Sequence, residues 1–233
     1  RLEKKTCASI LDFLSTCSGR EKISSQGTVL KKTYDQQSLL HNEIIVDLAT
    51  DRDVLQLASD YFGSQPKIAY LASWTTFADD ESEVGEMSFH MDHHGHKFLK
   101  LFYYLTPVSE NSGHHEYIAK TTDQLVHGGL LSKWKKHNKE LHADYCYKMS
   151  RRGKHKMSAG IIQKNLSKLL VKQTGEAGTC FIEDTSGLHR GTPIKNGKPR
   201  TILQVLYTSK VHTKDTTKEI DLSNYANPVF SEM

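Results

Sequence analysis

The stretch FHMDHHGH, residues 89–96, holds four histidines and one aspartate in eight positions. Side chains on a β-strand alternate between its two faces. His90, Asp92, His94 and His96 share one parity, so one cavity can receive all four. Gly95 marks a break from strand into turn, which leaves His90 and Asp92 as the pair still on the strand. An H-x-D pair offers an imidazole and a carboxylate to one cation, at adjacent corners of an octahedron. A histidine from elsewhere in the chain completes a facial triad. The chain has 13 histidines, so H-x-D alone is a weak motif.

Further strand-like segments surround this one. KIAYLASWTTF (67–77) is rich in aromatic and β-favouring residues, and GEMSFHMD (85–92) follows a polar turn, DDESE (79–83). KFLKLFYYLTPV (97–108), HHEYIAKTT (114–122), GTCFIED (178–184) and PRTILQVLYTSK (199–210) read the same way. GLHRGTPIKNGK (187–198), dense in Gly, Pro and Asn, reads as a loop or tight hairpin. TDRDVLQLASDYFG (50–63) has helical spacing, with Thr50 as its expected cap and Gly63 as its stop. Short strands on both sides of a helical segment suggest a β-barrel or sandwich carrying helices. Among the histidines, His189 stands out. Arg200 lies eleven residues beyond it, and a hairpin between them returns Arg200 to its side. There the guanidinium can grip a carboxylate through two parallel hydrogen bonds.

The 233 residues, 37% hydrophobic and 25% charged, suit one domain with one sizeable core. No apolar run approaches the roughly 18 residues that span a bilayer, so no membrane partner is expected. The opening RLEKKTCASILDFLSTC lacks the apolar core of a secretory signal and reads as an amphipathic helix. Its first residue is Arg1, the expected mark of trimming or processing. Cys7, Cys17, Cys146 and Cys180 show no C-x-x-C spacing, which fits unpaired thiols and a cytoplasmic location. From Lys133 to Lys172, twelve Lys or Arg face only Glu140 and Asp144, a local balance of +10. With a net charge of +4 overall, the rest of the chain is about −6. The basic segment either attracts an anionic group or is a solvated helical face.

Taken together, FHMD, KFLKLFYYLTPVSENSGHHEYIAKTT and GTCFIEDTSGLHRGTPIKNGKPRTILQVLY resemble the phytanoyl-CoA dioxygenase-like branch of the Fe(II)/2-oxoglutarate oxygenases. The resemblance covers roughly residues 50–122 and 175–210. It implies a double-stranded β-helix, a jelly-roll or cupin-like barrel with flanking helices and a basic helical insertion. The expected layout is a single oxygenase domain over 1–233. It comprises an N-terminal helical flank (1–66), barrel strands (67–122 and 175–210), an insertion or lid (123–174) and a C-terminal tail (211–233). By resemblance His90, Asp92 and His189 map to the iron ligands and catalytic centre, and Arg200 to the 2-oxoglutarate clamp. The implied cofactors are Fe(II), 2-oxoglutarate and O2. The implied reaction hydroxylates a small organic substrate and releases succinate and CO2, and the basic segment would suit an anionic one. Halogenating relatives lack the carboxylate, so Asp92 argues for oxygenation.

Other residues carry weaker expectations. Thr192 is a misregistered candidate for the hydroxyl that supports the co-substrate. Lys100 and Phe102 either line the pocket or are a solvated lysine and ordinary strand packing. His93, His94 and His96 are expected at the rim, and His114 and His115 at the surface or substrate side. One alternative is a non-oxidative cupin-like metal protein or isomerase using His94 and His96, which has no need of Arg200. A lesser one is a nucleic-acid-modifying oxygenase, with Trp134, Tyr145 and Tyr147 of the basic segment stacking on bases.

Overall fold

The computed structural model describes residues 1–77, 88–122, 129–150, 156–195, 197–209 and 220. The turn expected at 79–83, the side chains of Cys146 and Tyr147, and the tail 211–233 apart from Ile220 lie outside the described residues.

The N-terminal part is α1 (Lys4–Thr16), a hairpin of β1 (Gly19–Ile23) and β2 (Val29–Tyr34), then α2 (Gln36–Leu40), α3 (Glu43–Ala49) and α4 (Arg52–Phe62). The flank expected to be helical therefore also contributes two strands. α4 ends at Gly63, whose φ of 66° is easily reached only without a Cβ. Its cap is Asp51, not Thr50: the Asp51 carboxylate accepts from the Asp53 and Val54 amides. Thr50 is committed to the preceding helix, where its hydroxyl donates to the Val46 carbonyl.

The chain continues through β3 (Pro66–Thr76), β4 (Phe89–His90), β5 (Leu99–Tyr104) and β6 (His115–Ile118). Next come α5 (Leu131–His137), α6 (Lys139–Ser150), β7 (Lys156–Met157), α7 (Ala159–Leu166) and β8 (Leu170–Gln173). β9 (Cys180–Glu183), β10 (His189–Gly191) and β11 (Arg200–Ser209) complete it. Two antiparallel sheets result. The larger runs β1-β2-β3-β11-β5-β9 and the smaller β7-β4-β10-β6-β8. The expected closed barrel is not formed, because no ladder joins the sheet edges among the described residues. The sheets instead face each other: Phe102 of the larger packs 5.3 Å from His115 of the smaller. The Tyr104 hydroxyl donates across to the Gln173 carbonyl at 2.9 Å.

Helices cover the outer faces. Ile10, Leu14, Ile45, Leu55 and Phe62 pack on the outward side of the larger sheet, against Leu71, Leu101, Leu203 and Val205. Trp134, Leu141, Tyr145 and Ile162 of α5–α7 cover the smaller sheet at Phe89, Met91, Ile118 and Leu188. Each surface is apolar on the side it buries, which is what holds the layers together. The segment expected as an insertion thus packs on the sheet and adds β7 and β8 to it. No helix among the described residues is long and apolar enough to cross a membrane.

Candidate metal centre

β4 and β10 are neighbours in the smaller sheet, and His90 sits directly opposite His189 in their register. Opposite residues in a ladder share a face, so both imidazoles enter the space between the sheets. Their ring centroids are 4.3 Å apart. Each Nδ1 faces a carbonyl, Ser88 at 2.9 Å for His90 and Gly187 at 2.8 Å for His189. A carbonyl only accepts, so Nδ1 carries a proton, and in the neutral ring Nε2 then has the lone pair that a metal takes. Both Nε2 atoms face Asp92, His90 at 3.9 Å from Oδ1 and His189 at 3.4 Å from Oδ2. The three donor atoms lie within 4.8 Å of one another, a cluster that could hold one metal ion.

Lys100 reaches from β5 and donates to Asp92 Oδ2 at 2.6 Å. It is a nearly buried ion-pair partner rather than a solvated lysine. Burial alone would push the Asp92 carboxyl up. His189 and Lys100 outweigh that and hold it far below the usual carboxylate range. Across the β5–β9 ladder from Lys100 stands Glu183, which accepts from His115 Nε2 at 2.9 Å. The His115 ring stacks 5.5 Å from that of His189. Asp92 and Glu183 therefore face Lys100 and Arg200 in one cavity, a formally balanced set.

Arg200, 7% exposed, starts β11 in the larger sheet. His189 and Arg200 thus lie on opposite sheets, not on one hairpin as expected, because the chain crosses between layers after β10. The two still meet. A Cβ at Gly191 would sit 3.6 Å from both terminal guanidinium nitrogens, and one at Gly113 would lie 3.3 Å from Nη1. Gly113 also has φ 74°, so two glycines shape the cradle for the guanidinium.

The remaining candidates divide. His94 is half-buried edge-on against Phe98, and His93 and His96 are exposed. His114 and His115 are buried rather than at the surface, because β6 is flanked by β10 and β8 in the smaller sheet. Thr192 is tied to the His114 carbonyl at 3.0 Å. Trp134 and Tyr145 pack edge-on in the core beneath the smaller sheet and have no free face for a base.

On the opposite face of β6 and β10, Glu116 accepts from Arg190 Nε at 2.7 Å and from His114 Nε2 at 3.2 Å. Burial would raise the Glu116 carboxyl, but these bonds lower it from an ordinary 4.5 to about 2. A depressed folded value contributes stability that is complete above about pH 4.5 and drains away as pH falls toward 2. The urea midpoint of the wild type should fall through that window, and Glu116→Gln should flatten the fall. Parallel acid profiles would show that this group is not the one titrating.

No protein-family model matches the sequence, and no curated protein matches it. Solved structures do. HygX from Streptomyces hygroscopicus, crystallised with nickel and 2-oxoglutarate, superposes with a TM-score of 0.59. It is 11% identical, over 90% of this chain and 80% of its own. The non-haem α-ketoglutarate-dependent epimerase SnoN of nogalamycin biosynthesis gives 0.54 at 16% identity, over 89% and 73%. The carbocyclase SnoK of the same biosynthesis gives 0.51 at 12%, over 89% and 76%. This chain has the fold of the non-haem 2-oxoglutarate-dependent enzymes. That fold places two facing sheets around a His90–Asp92–His189 cluster here.

Proposed function

We propose that the protein is an Fe(II)- and 2-oxoglutarate-dependent oxygenase of the double-stranded β-helix type, hydroxylating a small organic substrate. The convergence of His90, Asp92 and His189 carries this reading. Two imidazoles and one carboxylate suit a divalent iron with open positions. Such a centre, with 2-oxoglutarate and O2 bound, supplies the oxidant and releases succinate and CO2.

The chain's own residues do the rest. The Ser88 and Gly187 carbonyls hold the two rings in the tautomer that presents Nε2. Lys100 fixes one Asp92 oxygen, leaving Oδ1 for the metal. Arg200, cradled by Gly113 and Gly191, offers two parallel donors to the far carboxylate of the co-substrate. Adding a dication and a dianion preserves the balance among Asp92, Glu183, Lys100 and Arg200. Phe102 and Phe181, stacked 5.0 Å apart, keep water from this wall.

HygX was crystallised with hygromycin B and SnoN with Fe3+, α-ketoglutarate and nogalamycin RO. They support a small-molecule substrate and iron with 2-oxoglutarate here. An epimerase and a carbocyclase share the fold, so the neighbours do not select hydroxylation, and the Asp92 carboxylate argues only against halogenation. The guanidinium cradle disfavours a cupin-like protein without co-substrate, and the buried Trp134 and Tyr145 disfavour nucleic acid. The free thiols Cys7, Cys17 and Cys180 support a reducing, cytoplasmic compartment.

The test is succinate formation from 2-oxoglutarate by protein loaded with Fe(II), with ascorbate and O2. Slow turnover without added substrate, stimulated by members of a metabolite panel, is expected. A metal-loaded protein that neither binds nor turns over 2-oxoglutarate would overturn the proposal.

A further inference from the structure

The turn between β9 and β10, residues 184–187, is bonded to two of the three candidate ligands. The Thr185 carbonyl accepts from the Asp92 amide at 2.9 Å, and the Gly187 carbonyl faces His189 Nδ1 at 2.8 Å. β4 ends at His90, so no ladder fixes the backbone of Asp92, and the bond to Thr185 ties it to the turn instead. Whatever holds this turn in place therefore holds both ligands.

The turn closes on itself through Asp184. The Asp184 carbonyl accepts from the Gly187 amide at 3.1 Å, and its Oδ1 accepts from the Ser186 amide at 2.9 Å. These bonds set the shape of the turn, not its place. Tyr117 of β6 presses against it: a Cβ at Gly187 would fall 2.5 Å from the Tyr117 hydroxyl oxygen, so only glycine fits. The remaining Asp184 oxygen, Oδ2, accepts from the Tyr61 hydroxyl at 2.5 Å. A hydrogen bond to a carboxylate is short and roughly twice as strong as one between neutral groups.

Tyr61 belongs to α4, far away in the chain. Leu55, Ala58 and Phe62 bury that helix in the core of the larger sheet, so the phenol projects from a fixed support. Lys97 Nζ donates to the Tyr61 carbonyl at 3.3 Å and lies 5.4 Å from the centre of its ring. Burial, and next the Asp184 carboxylate, push the Tyr61 phenol above its ordinary value, so it keeps its proton and remains the donor. A phenylalanine ring would fill the same space. What the hydroxyl adds is the bond to Asp184.

We infer that Tyr61 and Asp184 are positioning residues for the metal centre, a pair that anchors the 184–187 turn to α4 and so sets Asp92 against His189. This rests on the functional reading above. The pair acts on Asp92 through the Thr185 carbonyl and on His189 through the Gly187 carbonyl. It reaches the ligands only through these backbone groups.

The experiment titrates Mn(II) into the wild type, Y61F, D184N and the Y61F/D184N double variant by calorimetry, with Y207F as control. Y61F should weaken the Mn(II) Kd about 10-fold, the lower end of what groups supporting metal ligands are worth, because it stands one bond further out. D184N, which also disturbs the Ser186 bond, should weaken it more. The double variant should match D184N, because both changes break the same bond. Y207F removes a buried hydroxyl that donates to the Ala49 carbonyl at 2.8 Å, on the outward face of the larger sheet. It should lower the melting temperature at least as much as Y61F, yet leave the Mn(II) Kd within about twofold. Y61F binding Mn(II) as tightly as the wild type, or no more weakly than Y207F, overturns this assignment and leaves the functional reading intact. Failure of the wild type to bind Mn(II) overturns both.

Discussion

His189→Ala is expected to abolish measurable divalent-metal binding and, with it, 2-oxoglutarate turnover. His90 and Asp92 come from one short segment, whereas His189 comes from β10 and closes the triad from the neighbouring strand. Without it, one nitrogen and one oxygen donor remain. Altering only residues that support metal ligands already costs roughly 10- to 100-fold in affinity, so loss of a ligand should exceed about 100-fold. Mn(II) titration read by electron paramagnetic resonance checks this, with far-ultraviolet circular dichroism as the folding control. His94→Ala and His96→Ala serve as the contrast. His94 packs on Phe98 and His96 is exposed, so both variants should bind Mn(II) as the wild type does. Metal binding retained by His189→Ala but lost in these two would reinstate the cupin-like alternative. Because ligating histidines must be neutral, wild-type affinity should also fall on acidification.

Legibility from sequence followed the length and regularity of each signal. β3 and β11 are long, β-rich runs bounded by turn residues, and each begins within a residue or so of its expected start. Strand parity pairs His90 with Asp92, but β4 ends at His90, so Asp92 joins the cluster from just beyond the strand rather than as its next inward residue. β10 is three residues long in a stretch rich in Gly and Pro, so nothing periodic distinguished it from a loop. The separation of His189 and Arg200 pointed to their proximity, but no local signal shows a chain crossing between sheets. His115 and Glu183 depended on register. HHEYI and CFIE leave open which face meets the cavity. At α4 the expected cap, Thr50, is bonded to Val46 in the preceding helix, and its neighbour Asp51 caps instead.

Lys100→Met should destabilise the metal-free protein and enlarge the stabilisation that metal confers. The lysine holds Asp92 at 2.6 Å, and their side chains are 12% and 18% exposed. Removing one partner of a largely buried pair leaves the other charge uncompensated, at about 3–5 kcal/mol. For a domain of this size that corresponds to a melting temperature lower by roughly 10 °C. Glu183, facing Lys100 across the ladder, adds a second carboxylate to the deficit. A divalent cation relieves the same deficit, and without Lys100 it no longer shares Asp92 with a competing ammonium. Saturating Mn(II) should therefore raise the melting temperature of Lys100→Met by more than that of the wild type, since a ligand stabilises in proportion to its preference for the folded state. Lys100→Arg keeps the charge and should recover most of the metal-free stability. If Lys100→Met melts with the wild type and gains no extra metal-induced shift, the ammonium is not balancing the triad, and the low Asp92 carboxyl must be credited to His189 alone.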